Sequence, residues 1–126
     1  MSELSREMTA IALNALKEKK ANDPRIIDIR NVSVIADYFL IANGRNINQV
    51  KAMADGVEEA LGKAGYLPRQ IEGYSSGNWV LMDYNDIIVH IFSEEARVFY
   101  DLERIWRDGR EIGPDEISEG PGKTEE

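Results

Sequence analysis

The chain has no cysteine and only one histidine among its 126 residues. The first absence excludes disulfides, thiolate metal sites and thiol nucleophiles, and it fits a reducing compartment. With His90 alone, a metal centre lacks a second imidazole or thiolate, so His90 reads as a structural residue. Positive charge is scarce too: 15 basic against 23 acidic side chains leave a net charge of −8. No basic stripe runs along the chain, so direct nucleic-acid binding is not expected, and a basic protein is the better matched partner. No apolar run reaches bilayer length, and neither a secretory leader nor a lipidation motif is present, which makes the cytoplasm the expected location. A phosphate-binding loop of the Gly-Lys-Ser/Thr type is missing as well, and no cofactor or metal is expected.

What remains is 43% hydrophobic and 30% charged, enough for one domain with a single core. Its centre of organisation is the stretch from Asn78 to Phe92. Two runs of β-branched and aromatic residues flank Asn85-Asp86 there, the pattern of a β-hairpin with a tight loop. Asn tolerates the positive φ such a loop needs. With Asn85-Asp86 as the loop, Tyr84 pairs with Ile87, Met82 with Val89 and Val80 with Ile91. Taking Tyr84-Asn85 instead shifts the pairs but keeps the faces. One face then carries Val80, Met82, Tyr84, Ile87, Val89 and Ile91 and reads as core. The other carries Trp79, Leu81, Asp83, Ile88, His90 and Phe92, too apolar for water and too polar for a plain core. Either helices cover both faces, or the second is a docking surface.

Around the hairpin, Leu4, Met8, Ile11, Ala12, Ala15 and Leu16 recur at helical spacing, with Lys17, Lys19 and Lys20 complementing the dipole at the helix end. Asn22-Asp23-Pro24 breaks this helix. Arg25–Arg30 reads as a short strand, and Asp37–Ala42 as a central strand buried on both sides. Asn46 and Gln49 form a capping box that opens the longest helix, whose stripe is Ile47, Val50, Met53, Ala54, Val57 and Leu61. Gly62 or Gly65 ends it, and Pro68 prevents its resumption. Gln70–Glu72 reads as a short strand and Gly73–Gly77 as a flexible loop. Ser93 caps a last helix with Val98, Phe99, Leu102, Ile105 and Trp106 buried, stopped by Gly109 and Gly113-Pro114. The order αββαβββα predicts a single α+β (α/β) domain over residues 1–112, a mixed five-stranded sheet flanked by helices. Residues 113–126, with five carboxylates against Lys123, read as an acidic disordered tail.

Catalytic chemistry is thin. Asp83 and Asp86 flank the hairpin loop, and a solvated turn explains them better than a divalent-ion site. Ser75 and Ser76 follow no strand-to-helix elbow. Gly44-Arg45-Asn46, before a helix start, has the setting to hold an anion, but capping alone explains Asn46 just as well.

The runs Ala36–Ile41, Gln49-Val50, Glu72-Gly73, Trp79–Tyr84, Val89–Phe92 and Arg97–Trp106 together resemble the ribosomal silencing factor family, also called the Iojap family. The resemblance extends to about Ile112. Asn46 stands where the family usually has Ser, and Asn85 where it has Gly; both keep the local physics of a cap and a positive-φ turn. The resemblance implies a nucleotidyltransferase-like fold without enzymatic activity and a homodimer. It also implies binding to the large ribosomal subunit through its ribosomal protein number fourteen, which blocks small-subunit joining and represses translation under nutrient limitation. On this reading Trp79 is the aromatic anchor of the docking face, with Leu81, Ile88, His90 and Phe92 around it. Glu72, Asp83 and Asp86 meet basic groups, and Arg97 and Tyr100 extend the surface. A nucleotidyltransferase enzyme is the rival, but Gly44-Arg45 replaces its Gly-Ser turn and no Asp-x-Asp occurs. A dimeric scaffold for a non-ribosomal partner is the third reading.

Overall fold

β-branched and aromatic runs supply the strands, and two amphipathic helices seal one side of the sheet they form. The computed structural model describes residues 3–100, 109–113 and 116–117, without the side chains of Phe99 and Tyr100. In chain order the elements are α1 (Glu3–Glu18), β1 (Asn22–Asp28), β2 (Tyr38–Gly44), α2 (Ile47–Lys63) and β3 (Gln70–Glu72). They continue with β4 (Trp79–Asp83), β5 (Ile87–Ser93), α3 (Glu94–Tyr100) and β6 (Arg110–Ile112). The sheet runs β3-β4-β5-β2-β1-β6, with β2 and β5 parallel and every other neighbouring pair antiparallel.

The fold is the expected mixed α+β domain, with one strand more than expected. β6 adds to the free edge of β1, pairing Ile26 with Ile112. Its three residues carry no alternation long enough to announce a strand. Beyond it, Ile117 is 2% exposed within the larger core, past the boundary drawn at Ile112. Residues 118–126 of the tail lie outside the described residues.

The larger core lies between the sheet and the α1–α2 layer. Met8, Ala12 and Leu16 of α1 and Val50, Met53, Val57 and Leu61 of α2 pack there against Leu40, Val80, Met82, Val89 and Ile91. Two expected stripe residues sit outside it, for reasons of position. Leu4 and Ile47 lie in the first turns of their helices, are 44% and 43% exposed, and overhang the core. Leu13 takes the buried place in α1.

The α2 entry is capped by side chains on both sides. Asn46 Oδ1 accepts from the Gln49 amide at 2.8 Å, and Gln49 Oε1 accepts from the Arg45 amide at 2.7 Å, one residue earlier than in a standard capping box. At the other end, the Gly65 amide donates to Gly62 and the Tyr66 amide to Leu61, closing the helix over Gly65 at φ +94°.

Candidate functional site

The hairpin closes as the alternation requires. Tyr84 donates its amide to the Ile87 carbonyl at 3.0 Å, and Asn85 holds φ +72° in the two-residue loop. Trp79 pairs with Phe92, Leu81 with His90 and Asp83 with Ile88. All six residues expected on the core face are buried in the larger cluster.

The second face forms a smaller cluster of its own. Ile27, Ile29, Ala36, Ile41, Ile88, Phe92 and Ala96 are buried in it, and Phe39, Trp79 and Leu81 pack against it half-buried. The cover is partial: α3 lies over the Phe92 end, and the 29–37 connector closes the Ile27–Ile29 side. Register aligns the exposed strip. Across the sheet, Glu72, Leu81, His90 and Ile41 form one row, and Asp83, Ile88 and Phe39 the next. Trp79, Phe92, Asn43 and Asn22 form a third row at the end of the sheet.

An aromatic group holds this face together. The Trp79 indole Nε1–H donates to His90 Nδ1 at 3.1 Å. Its ring lies 5.1 Å from Phe92, and Phe39 meets His90 edge-on at 4.8 Å. Because Nδ1 accepts, the neutral imidazole carries its proton on Nε2, which is buried without a partner among the described residues. Burial pushes the His90 pKa down to about 4.

The ten residues expected on a docking face thus divide. Trp79 and Leu81 are half-buried, Glu72 is exposed beside Leu81, and Asp86 is partly exposed at the loop. Phe92, Ile88 and His90 are buried and support the surface from beneath. Asp83 is 7% exposed, not part of a solvated turn: its carboxylate accepts from the Arg69 guanidinium at 2.7 Å and from the Asn85 amide at 2.9 Å. Burial alone would raise its pKa, but Arg69 and the Asn85 amide outweigh it and hold the carboxyl below its usual value.

Arg97 is buried at 7% exposure and points inward. It donates to the Asp23 carbonyl and to Asn43 Oδ1, both at 2.8 Å, which ties α3 to β1 and β2. With Ala96 and Arg97 turned inward, Val98 faces out at 81% exposure, against its expected burial. The Tyr100 and Phe99 side chains, and Leu102, Ile105 and Trp106, lie outside the described residues.

Sequence reasoning missed Phe39 as a partner of the strip. It also missed the exposed Val32, Val34 and Ile35 of the connector that borders Ala36. The alternation within β2 places Phe39 opposite Leu40, but only the parallel register to β5 brings it beside His90.

Nearly the whole chain, residues 2–126, matches the family model for the ribosomal silencing factor during starvation. The chain belongs to the ribosomal silencing factor family. A relative from Zymomonas mobilis, ribosomal silencing factor RsfS, is 40% identical over 101 residues, covering 80% of this chain and 76% of its own. One from Halalkalibacterium halodurans with the same description is 36% identical over 104 residues, 82% of this chain and 89% of its own. A crystal structure from Chromobacterium violaceum superposes with a TM-score of 0.79 at 33% identity, over 84% of this chain and 87% of that one. Among the described residues no three carboxylates or histidines group closely enough to hold a metal ion.

Proposed function

We propose that the chain silences translation by docking on the large ribosomal subunit through ribosomal protein number fourteen, so that the small subunit is sterically kept from joining. It acts as a binding protein in the cytoplasm, without catalysis, and forms a homodimer in isolation. The observation that carries the reading is the asymmetry of the hairpin. Its first face is sealed under two helices, whereas its second leaves Trp79, Leu81 and Phe39 half open. A half-open apolar strip with a buried aromatic base is the make-up of an interface anchor. The acids beside it, Glu72 and Asp86, suit a basic ribosomal protein in sign. The family's description supplies the ribosome as the target.

The test uses sedimentation and titration. The chain is expected to travel with free large subunits and not with joined ribosomes. Leu81→Asp places a charge in the middle of the strip without emptying a core site. It should remain folded, with a somewhat lower melting temperature because Leu81 packs half-buried on the smaller cluster. It should lose binding to isolated ribosomal protein number fourteen by at least about thirtyfold, the loss of about 2 kcal/mol typical of an anchor. Unchanged binding by a folded Leu81→Asp variant would move the docking surface elsewhere.

A further inference from the structure

On a chain of net charge −8, the junction between the end of α1 and the start of α2 has the opposite sign. Lys17, Lys19, Lys20 and Arg45 are all exposed there, with Glu18 among them, while the nearby Asp23 carboxylate is already paired with Arg25 and Arg97. None of these four cations makes an ion pair among the described residues, whereas Arg25, Arg30, Arg69, Arg97 and Arg110 all do. The gathering is built, not incidental. The Gln49 side chain donates to the Lys19 and Lys20 carbonyls at 3.1 and 3.0 Å and accepts from the Arg45 amide at 2.7 Å. One side chain therefore fixes both basic segments against each other. Lys20 sits at φ +65°, which turns the chain out of α1 and sets its side chain apart from those of the helix.

The position of this corner matters as much as its charge. Asn22 and Asn43, two residues from Lys20 and Arg45, lie in the same cross-sheet row as Trp79 and Phe92. Strands are about 4.8 Å apart, so Asn43 stands two strands, or roughly 10 Å, from Trp79. The corner belongs to the α1–α2 side of the sheet end and the strip to the other side, so a partner that overhangs the Trp79 end of the sheet comes within reach of it. A basic ribosomal protein is repelled by these cations, so the group that fits them is an anion beside that protein. On a ribosomal subunit such anions are the phosphates of the RNA backbone. Glu94 and Glu95 lie across a cleft from Arg45 and bound the corner on that side. The Lys19 side chain runs back along α2 against Gly56, which leaves Lys20 and Arg45 as the cations nearest the Trp79 row.

We infer that this corner lies against the phosphate backbone of ribosomal RNA next to the docked protein, which revises the expectation that the chain touches no nucleic acid. The inference rests on the docking reading, and the test separates the two. The triple variant Lys19→Gln, Lys20→Asn, Arg45→Gln removes three charges from exposed positions, and Asn keeps the left-handed backbone at position 20. It should bind isolated ribosomal protein number fourteen as the unmodified chain does, and bind intact large subunits at least about tenfold more weakly at low salt. Its subunit affinity should also fall less steeply with salt, by about 0.7–0.9 in the log–log slope for each phosphate that is no longer neutralised. A triple variant with the same subunit affinity and salt slope as the unmodified chain overturns the RNA contact. Leu81→Asp gives the complementary pattern, with loss on the isolated protein, and failure of that pattern strikes the docking reading alone. An unmodified chain that binds neither target overturns both. Thermal melts, expected to be unchanged for the triple variant and cooperative for Leu81→Asp, exclude misfolding as the cause.

Discussion

Trp79 and His90 are joined across β4 and β5: the indole Nε1–H donates to His90 Nδ1 at 3.1 Å, and Phe39 and Phe92 lie against the same ring, whose burial keeps it neutral. A proton on Nδ1 removes the acceptor, and a charged imidazole in this apolar setting has nothing to offset its desolvation. Trp79, half-exposed on the strip, is therefore coupled to the protonation of a buried residue beside it.

The pH dependence follows from that coupling. The folded pKa of His90 is about 4, against about 6.5 in an unfolded chain. Between these values the unfolded state binds a proton that the folded state does not. Stability is therefore undiminished by His90 above about pH 6.5 and falls as pH drops toward 4, by a total on the order of 3 kcal/mol. Urea unfolding from pH 4 to 7.5 should show this slope, and His90→Gln should lose it. A His90→Gln variant with the slope intact would mean that carboxylates alone set the acid response.

Trp79 and Phe92 form a graded pair. Phe92→Ala empties a fully buried site and should destabilise the fold by about 3–5 kcal/mol. Trp79→Phe keeps an aromatic ring on Phe92 but leaves His90 Nδ1 without its donor, which should cost about 1 kcal/mol. Calorimetric melts of the two variants should rank in that order, and an equal loss would show that the indole N–H contributes more than one ordinary hydrogen bond.

Two glycines separate backbone strain from steric exclusion. Gly73 sits at φ +82°, and a Cβ there would collide with the Trp79 carbonyl oxygen. Gly65 sits at φ +94° with nothing within 4 Å of a Cβ. Gly65→Ala should cost about 1–2 kcal/mol for the left-handed backbone alone. Gly73→Ala must also displace β4 and should lose clearly more, together with partner binding. Chemical denaturation compares them; similar losses would show that the 73–77 loop yields without moving Trp79.

The loop aspartates should part in the same way. Asp86→Asn removes an acid that makes no ion pair among the described residues and should slow association with a basic partner at low salt, with little change in stability. Asp83→Asn weakens the contact with Arg69 in a buried setting and should cost about 1–3 kcal/mol. Its carboxyl is held below the usual pKa, so its contribution is present above about pH 4 and lost as pH falls through the folded value. Stopped-flow association and equilibrium unfolding distinguish the two roles.

The parts of this structure that sequence reveals are those governed by short-range periodicity. Val80, Met82 and Tyr84 face one way and Trp79, Leu81 and Asp83 the other because alternation along a strand admits no other arrangement. The Asn46 cap and the Asn85 turn are legible because each rests on one residue's own chemistry. Which face is sealed is not a local property. The parallel pairing of Leu40 with Val89 joins segments far apart in the chain, and it brings Phe39 onto His90. The burial of Arg97 is hidden for a related reason, since its partners Asp23 and Asn43 come from other strands. A charged residue on a short helix gives no sign of such partners, and an exposed, partner-facing arginine is the natural expectation.

Both outermost strands of the sheet, β3 and β6, are three residues long. Each offers a neighbouring chain only a stub of free backbone donors and acceptors, too short to nucleate a further strand. The long central strands, which would be hazardous templates, are enclosed on both sides. Copies of this chain therefore have little to gain by extending the sheet end on end, and fibrous growth from these two edges is disfavoured.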